Sequence, residues 1–465
     1  MNAAVGADGH DYKNQTMNDI DRREFLKRLG MTMGSAAAMV ALGPLKAMAE
    51  RDEELQSVGD SRMTYRVQHG SGENISLLGL GMMRMPRDNQ ELVNKIVDYA
   101  LAHGVNYIDT APMYGGGLNE RITGEALSRH PRERYYIATK MSNYDERTWS
   151  FDESKKIYEQ SFSSLRVDYI DYYLLHGIGL GGMHNFEGRF IKNGFLDFLV
   201  SEREAGRIRH LGFSYHGDVS VFDWLVDRTE EYHWDMAQIQ MNYLDWRHAS
   251  LNKRGIKQDA DAEYLYNKLE KAGIQTVVME PLRGGALTRI SGDYADQLKA
   301  LRPEATPAEW AFRWVGSHPN ILTTLSGMNQ MEFIEENVKI FSPLESCTDK
   351  ENELMEKIAD SMAGIPTIPC TTCAYCMPCP YGVNIPGNFS FYNDAMQSQM
   401  LPLPETSAPD YAERQAAFAS AYRKAIPVEA RANQCVDCEA CLSKCPQQIR
   451  IPNQMGRIVS LLRKR

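Results

Sequence analysis

The sequence has 465 residues, of which 43% are hydrophobic and 24% are charged, with 35 Gly and 20 Pro. These proportions are ordinary for globular domains and exclude a collagenous, low-complexity or wholly disordered chain. Acidic residues outnumber basic ones by 61 to 51, and the net charge of −10 argues against a nucleic-acid partner. At roughly 100 to 200 residues per domain, the length predicts two or three domains unless one is a large α/β barrel.

The first 49 residues have the pattern of a targeting segment. Arg22 and Arg23 open a charged run, a weakly apolar stretch covers residues 29–45, and Ala47-Met48-Ala49 offers small residues for cleavage. The apolar stretch is too short and too mildly hydrophobic for a stable membrane span. The segment resembles a twin-arginine signal, which is an address read by a receptor. We therefore expect a periplasmic protein with no transmembrane anchor after cleavage; an uncleaved amphipathic helix is the alternative.

Between about residue 62 and residue 345, short apolar runs alternate with amphipathic stretches, the order that gives a parallel sheet. The runs predicted as strands are Leu77–Gly81, Tyr107–Ala111, Tyr135–Lys140, Tyr169–His176, Ile208–Tyr215, Met236–Asn242, Ile274–Leu282 and Ile321–Gly327. The stretches predicted as helices are Glu91–His103, Glu120–Arg129, Phe151–Leu165, Phe190–Ala205, Val219–Arg228, Ala260–Ala272 and Pro307–Ser317. Eight such units predict a (β/α)8 TIM barrel, with a hairpin at 65–75 plugging its N-terminal face. An open doubly wound sheet is the competing architecture, but the glycine-rich fingerprint expected after its first strand is missing.

Polar side chains follow the predicted strands at the end where barrel active sites form. Asp109, Lys140 and His176 lie at three consecutive strand ends, and Tyr114 lies in the loop after the first of them. Reduction of a carbonyl by hydride needs a proton donor, and a tyrosine with a pKa of about 10 is a weak acid at neutral pH. A nearby Lys ammonium would lower that pKa, an Asp would hold the Lys, and a His would orient the substrate oxygen.

Four segments resemble those of the aldo-keto reductase family. They are Gly-Leu-Gly-Met-Met-Arg-Met at 79–85, Ile-Asp-Thr-Ala-Pro-Met-Tyr-Gly at 108–115, Ala-Thr-Lys at 138–140 and Tyr-Ile-Asp-Tyr-Tyr-Leu-Leu-His at 169–176. The resemblance implies an oxidoreductase that interconverts a small-molecule carbonyl and an alcohol. It also implies that Tyr114 is the proton donor and that Asp109, Lys140 and His176 support it.

The same resemblance implies a nicotinamide site. The family's carboxamide-binding Ser and Gln match Ser214 and Gln238, and its adenine-side residues match Glu336 and Asn337. The loop Glu-Pro-Leu-Arg-Gly-Gly at 280–285 could cradle a pyrophosphate through backbone N–H groups, with Arg283 beside Gly284.

Two departures from the family concern the same site. The Asn that follows the Ser is Tyr215 here, and His216 comes next. The Lys and Arg that bind the 2′-phosphate of NADP are replaced by Gly327 and Phe333. Without these cations a dianionic phosphate has little to pair with. If a nicotinamide binds, we expect NAD(H) rather than NADP(H).

Eight of the nine cysteines form two tight runs near the end of the chain. The runs are Cys370, Cys373, Cys376, Cys379 and Cys435, Cys438, Cys441, Cys445. The second has the C-x₂-C-x₂-C-x₃-C-P spacing of bacterial ferredoxins, in which the fourth thiolate binds the other cluster. The last gap of the first run is one residue shorter. By this resemblance, one [4Fe–4S] cluster is held by Cys370, Cys373, Cys376 and Cys445, and a second by Cys435, Cys438, Cys441 and Cys379.

Zinc and disulfides are the alternatives for these cysteines. Four Cys within residues 370–379 would crowd one tetrahedral zinc ion, whereas cysteines of exported proteins do often pair. The repeated spacing favours iron–sulfur clusters. Cys347 lies outside both runs and is predicted to be a small apolar residue or a free thiol.

The chain is thus predicted to divide into a signal peptide at 1–49, a barrel at 50–345 and a small α-rich ferredoxin-like domain at 346–465. The predicted function is that of an exported oxidoreductase in which two clusters relay electrons, with a redox protein as partner. The alternative is a non-catalytic electron-carrier or binding protein that uses its clusters to dock that partner.

Overall fold

The computed structural model describes residues 63–249, 260–290, 293–365, 367–398, 400 and 410–463. The described residues belong to one compact unit, Val58–Arg465. The predicted signal peptide lies outside the described residues. The first described elements are two short antiparallel strands, β1 (Tyr65–Val67) and β2 (Asn74–Ser76), which form a hairpin.

Eight parallel strands then close into a barrel in chain order, with the last paired to the first. The strands are β3 (Leu78–Gly81), β4 (Tyr107–Asp109), β5 (Tyr136–Met141), β6 (Ile170–Ile178), β7 (Ile208–Tyr215), β8 (Met236–Gln240), β9 (Gln275–Met279) and β10 (Ile321–Ser326). Every residue of β5, β6 and β10 is buried, as expected for parallel strands covered on both faces. The predicted (β/α)8 barrel is confirmed.

Helices surround the barrel and continue into the tail. They are α1 (Gln90–Ala102), α2 (Leu118–Leu127), α3 (Phe151–Leu165), α4 (Gly182–Phe186), α5 (Phe195–Glu204), α6 (Val219–Val226), α7 (Thr229–Tyr232), α8 (Asp245–His248), α9 (Ala262–Lys271), α10 (Asp293–Leu301), α11 (Pro307–Gly316), α12 (Met331–Ile340), α13 (Asp349–Ala363), α14 (Ile385–Gln397), α15 (Tyr411–Ala425) and α16 (Ile451–Leu462). Within the described part of the chain, no helix combines the length and apolar character needed to cross a membrane.

The hairpin of β1 and β2 closes the N-terminal face of the barrel, as predicted. Ile75 is fully buried among Tyr107, Tyr136 and Tyr172, which point into the barrel interior. The hairpin therefore completes the inner core at the end opposite the predicted active site.

A buried ion cluster ties this hairpin to the barrel wall. His210 lies 3.0 Å from Glu73 through Nε2 and 3.0 Å from Asp235 through Nδ1. The Tyr172 ring stacks on the imidazole with centroids 4.6 Å apart. Burial alone would lower the pKa of His210, but the hydrogen bonds with Asp235 and Glu73 outweigh it and raise that pKa to about 9.

This cluster predicts a loss of stability at alkaline pH. His210 has a folded-state pKa of about 9, above the value of about 6.5 expected when unfolded. Its contribution is therefore complete below about pH 6.5 and lost as the pH rises through about 9, a change of roughly 3 kcal/mol. Urea unfolding at about pH 6 and about pH 9.5 measures it. At about pH 6, His210→Gln should have a lower free energy of unfolding than wild type. Between about pH 6 and about pH 9.5, the free energy of unfolding should fall less in His210→Gln than in wild type. An equal fall in the two proteins would contradict the assignment.

The tail has its own core. The α13 helix still packs on the barrel through Met355, Ile358 and Met362. From Ile368 onward, a second cluster of buried side chains forms around Phe389, Tyr392, Phe418, Tyr422 and Ile458 of α14, α15 and α16. The predicted small α-rich domain is confirmed as an architecture, and its predicted boundary at 345/346 stays a prediction.

Candidate active site

The ends of neighbouring strands bring the four predicted catalytic residues together. Asp109 ends β4, Lys140 and His176 lie near the ends of β5 and β6, and Tyr114 begins a short turn after β4. All four are at least nine-tenths buried. Lys140 Nζ lies 2.6 Å from Asp109 Oδ1 and donates to the Thr110 carbonyl at 2.8 Å. The carboxylate thus fixes the ammonium group beneath the mouth of the barrel.

Tyr114 lies between this ion pair and the histidine. Lys140 Nζ is 5.0 Å from the centroid of the Tyr114 ring. The rings of Tyr114 and His176 meet nearly at right angles, with centroids 5.7 Å apart. Gly115 and Gly116 follow with φ of 60° and 66°, a left-handed conformation that glycine adopts without the steric cost paid by other residues. These glycines allow the sharp turn that returns the tyrosine to the strand ends.

Burial controls the ionisation of the tyrosine. It raises the pKa of Tyr114 well above its ordinary value, and Tyr375 and Asp109 raise it further. Burial also lowers the pKa of Lys140, against the opposing effect of Asp109. The expected lowering of the Tyr114 pKa is therefore not found in this structure, because burial outweighs the charge of Lys140, which is itself partly balanced by the Asp109 carboxylate 2.6 Å away. Tyr114 instead stays protonated, as a proton donor must before an oxyanion develops.

His176 is held as a neutral imidazole. Burial lowers its pKa well below the ordinary range, and the charges of Lys140 and Arg189 add to the effect. Its Nδ1 lies 2.6 Å from the Ser142 hydroxyl, and Arg189 donates to its backbone carbonyl at 2.6 Å. Ser142 and Arg189 were not singled out from the sequence. They fix the ring at the cavity wall, where a neutral imidazole can hydrogen-bond a substrate oxygen.

The four residues line a cavity of about 600 Å³ that runs from the strand ends to the start of α12, a volume typical of small-molecule sites. Five of the six residues predicted to bind a cofactor line the same cavity: Ser214, Gln238, Gly284, Glu336 and Asn337. Arg283 does not line it, because its Nε lies 3.5 Å from Asp245 Oδ1.

The tail forms one wall of this cavity. Thr371, Cys373 and Tyr375 line it together with the barrel residues. Arg84, after the end of β3, donates to the Thr371 carbonyl at 2.7 Å and lies 3.7 Å from Glu280. The backbone of Thr371 approaches so closely that a Cβ on Gly284 would collide with its carbonyl oxygen. The loop expected to cradle a pyrophosphate is therefore packed against the tail.

The cysteines surround two further cavities in the tail. One is lined by Cys370, Cys373, Cys376 and Cys445. The other is lined by Cys379, Cys435, Cys438 and Cys441, with Cys376 at its border. These groups match the two ligand sets that the ferredoxin resemblance implies, and the ligand roles stay a prediction. Among the described residues, no three His, Cys, Asp or Glu side chains are placed to hold a single metal ion.

A family model described as the aldo/keto reductase family matches residues 77–360, which is more than half of the chain. The chain belongs to the aldo/keto reductase family. A second model, described as a 4Fe-4S dicluster domain, matches residues 369–449 and includes all eight clustered cysteines. The protein is thus an oxidoreductase in which an aldo/keto reductase barrel is followed by an iron–sulfur domain.

Individual relatives match the barrel. The uncharacterized oxidoreductase YqkF of Bacillus subtilis is 38% identical over 57% of this chain and 87% of its own length. The holo form of the aldo-keto reductase AKR11C1 from Bacillus halodurans has a TM-score of 0.50 and 24% identity, over 64% of this chain and 96% of its own. An aldo-keto reductase structure from Klebsiella pneumoniae is described as a complex with NADPH. It has a TM-score of 0.49 and 22% identity, over 64% of this chain and 96% of its own.

At the end of the cavity predicted to take the nicotinamide, a buried polar group has no partner within the described residues. Within the described residues, the buried Gln238 Oε1 accepts no hydrogen bond, which suits an amide donor such as a carboxamide. Ser214 Oγ already accepts from Gly177 N at 2.8 Å. Tyr215, at the family's Asn position, turns its hydroxyl to the Gly217 carbonyl. The residues present therefore fit a carboxamide through Gln238 and lack the third family contact.

At the end of the cavity predicted to take the adenine, the described residues include an acidic side chain, Glu336. Glu336 accepts from the Thr306 hydroxyl at 2.7 Å, and Asn337 donates to Ser326 at 2.9 Å. Among the described lining residues, Arg84 and Lys140 carry the Lys or Arg side chains. The stem of Arg84 lies beside Gly327, but its guanidinium binds the Thr371 carbonyl, and Lys140 is paired with Asp109. Among the described residues, a 2′-phosphate would therefore find no free cation at this end.

Proposed function

We propose that the protein is an exported oxidoreductase that interconverts a small-molecule carbonyl and an alcohol at Tyr114, with electrons passing through two [4Fe–4S] clusters. One observation carries the proposal: Tyr114, Lys140 and His176 line the same cavity as Cys373, a predicted cluster ligand. The reacting carbon and the first cluster would therefore lie on opposite walls of one cavity.

The residues of the barrel would handle the proton. In the direction of reduction, the Tyr114 hydroxyl would donate its proton to the developing alkoxide, and the neighbouring Lys140 ammonium would stabilise the phenolate that remains. The neutral His176, fixed by Ser142, would hydrogen-bond the same substrate oxygen and orient it. Oxidation of the alcohol would reverse these transfers.

The remaining residues would hold the redox groups. When bound, a nicotinamide supplies or accepts a hydride and each cluster carries a single electron. Gln238 and Ser214 would hold the carboxamide, and the two cysteine sets would hold the clusters. Conversion of one carbonyl and two protons to an alcohol consumes two electrons, which two clusters can supply together. A low-potential redox protein would then supply new electrons to the oxidised clusters.

Anaerobic purification followed by nucleotide titration tests these assignments. We expect about eight iron atoms per chain and quenching of protein fluorescence on addition of NADH. Gln238→Leu should weaken NADH binding by about threefold to tenfold, because one hydrogen bond is lost. Tyr114→Phe removes no carboxamide contact and should bind NADH unchanged. An iron content near zero would contradict the clusters, and tighter binding of NADPH than of NADH would contradict the predicted preference for NAD(H).

Export is tested by the paired change Arg22→Lys and Arg23→Lys. The twin-arginine route carries folded proteins, which suits a chain whose clusters must be inserted before export. We expect the variant to accumulate in the cytoplasm with its iron content unchanged, as measured by cell fractionation and iron analysis. Arg28→Lys is the matched control, because it makes the same exchange in the same segment but leaves the arginine pair intact. Normal periplasmic levels of the paired variant would contradict the assignment.

A further inference from the structure

Tyr375 is an aromatic residue that the tail places in the active site. It lies between Cys373 and Cys376, lines the cavity, and is half-buried. Its ring centroid is 6.5 Å from that of Tyr114, and the two rings are inclined by 35°. The barrel thus supplies one tyrosine to the site and the iron–sulfur domain supplies a second.

The cysteine loop itself does not require an aromatic residue at this position. Thr372 and Ala374 have positive φ values of 54° and 62°. Asp437 and Glu439, at the same places in the second run, have φ values of 59° and 58°. The two loops therefore share one backbone conformation.

The residue equivalent to Tyr375 in the second loop is Ala440, which is exposed. A small side chain therefore satisfies the loop where no barrel lies opposite. The large aromatic ring occurs in the loop that faces the cavity, which indicates a role in the cavity rather than in the loop.

Contacts between the tail and the barrel fix the position of this ring. Arg84 binds the carbonyls of Thr371 and Thr372 at 2.7 and 3.3 Å. On the other side, the Thr372 hydroxyl lies 3.4 Å from the Gly284 carbonyl. Within the described residues, neither the Tyr375 nor the Tyr114 hydroxyl is engaged in a hydrogen bond, so both are available to a bound molecule.

The walls around the two tyrosines are apolar. Met83, Met279 and Leu325 line the same cavity. Inclined aromatic rings at this separation bind other aromatic rings through edge or offset contacts, worth about threefold to tenfold in affinity. A flat unsaturated group would gain these contacts, whereas a flexible aliphatic chain would gain only apolar burial.

We propose that Tyr375 is a specificity-determining residue that selects carbonyls and alcohols bearing an aromatic ring beside the reacting carbon. The inference rests on the proposed function for the identity of the reacting group. The iron–sulfur domain thereby completes the substrate site of the barrel, in addition to holding clusters.

Calorimetric titration of the anaerobic holoprotein with benzyl alcohol and with hexan-1-ol tests this role. Wild type should bind benzyl alcohol more tightly. Tyr375→Leu should weaken that binding about threefold to tenfold and leave hexan-1-ol unchanged, whereas Tyr375→Phe keeps the ring and should keep the preference. Tyr381→Leu removes a tail tyrosine that is 51% exposed and outside this cavity, and should change neither affinity.

Cluster absorbance establishes that each variant is folded, and Tyr375→Phe tests the role if Tyr375→Leu does not fold. An unchanged preference in Tyr375→Leu, loss of the preference in Tyr375→Phe, or the absence of a preference in wild type would overturn the inference. Because binding is measured without turnover, these outcomes are distinct from a failure of the proposed function, which would show as turnover that does not depend on Tyr114.

Discussion

Replacing Tyr114 by Phe should lower the turnover of benzaldehyde by about 100-fold to 10,000-fold, the usual effect of losing a positioned proton donor. The ring stays, so its contacts with Lys140 and His176 at 5.0 and 5.7 Å are retained. The proton of the phenol is lost, and the Lys140 ammonium, which donates to Asp109 and to the Thr110 carbonyl, does not replace it as the donor. The change should therefore appear in kcat with little effect on binding.

Tyr173→Phe is the matched control for this variant. Tyr173 is fully buried on β6 and does not line the cavity. Its hydroxyl has no hydrogen-bond partner within the described residues, so its removal should cost little stability and no turnover. Steady-state kinetics with both variants separates catalysis from packing. Equal turnover in wild type and Tyr114→Phe would refute the catalytic role and favour the electron-carrier alternative.

The second large effect is expected from Gly284→Ala. Gly284 has φ of +65°, and an added Cβ would collide with the Thr371 carbonyl. The methyl group can be accommodated only if the first cysteine loop moves away from the barrel, which should cost about 1 to 3 kcal/mol. We expect faster hydrogen exchange in residues 367–376 and a loss of electron transfer between the cavity and the first cluster.

Gly285→Ala separates this collision from backbone strain. Gly285 also has a positive φ, +84°, but its Cβ would meet the Arg289 guanidinium at 3.4 Å and nothing of the tail. Both variants should lose about 1 kcal/mol of stability, because alanine is less favourable than glycine in the left-handed conformation. Only Gly284→Ala should displace the first cysteine loop. Equal hydrogen exchange in the two variants would show that the contact with Thr371 does not hold the tail in place.

The barrel could be predicted because its signals are local. Helix α3 begins and ends at the predicted residues, Phe151 and Leu165, since the Ser150 side chain caps its first turn and Arg166 adopts a left-handed conformation after its last. The predicted helix 190–205 begins later, at Phe195, because Gly194 has φ of +70° and interrupts it. Strand ends converge in any parallel barrel, so the positions of Asp109, Lys140 and His176 followed from the strand pattern.

Features that depend on docking of the tail could not be predicted. Tyr375 carries no distinguishing signal among the cysteines, and its proximity to Tyr114 arises from contacts across almost three hundred residues of chain. Arg283 lies in the predicted loop, but its guanidinium pairs with Asp245 and does not line the cavity. The raised pKa of Tyr114 depends on its burial and on Tyr375 of the tail, and no spacing in the sequence indicates either.

Electron exchange between the cavity and the clusters is tested most directly by spin-resonance spectroscopy of the chemically reduced protein. The clusters are reduced anaerobically, excess reductant is removed, and benzaldehyde is added together with NAD⁺ well below the cluster concentration as the hydride carrier. We expect the reduced-cluster signal to disappear in wild type as benzyl alcohol forms, with two electrons lost per molecule formed, and to persist in Tyr114→Phe. Persistence of the signal in wild type, or equal loss in both proteins, would contradict a shared site.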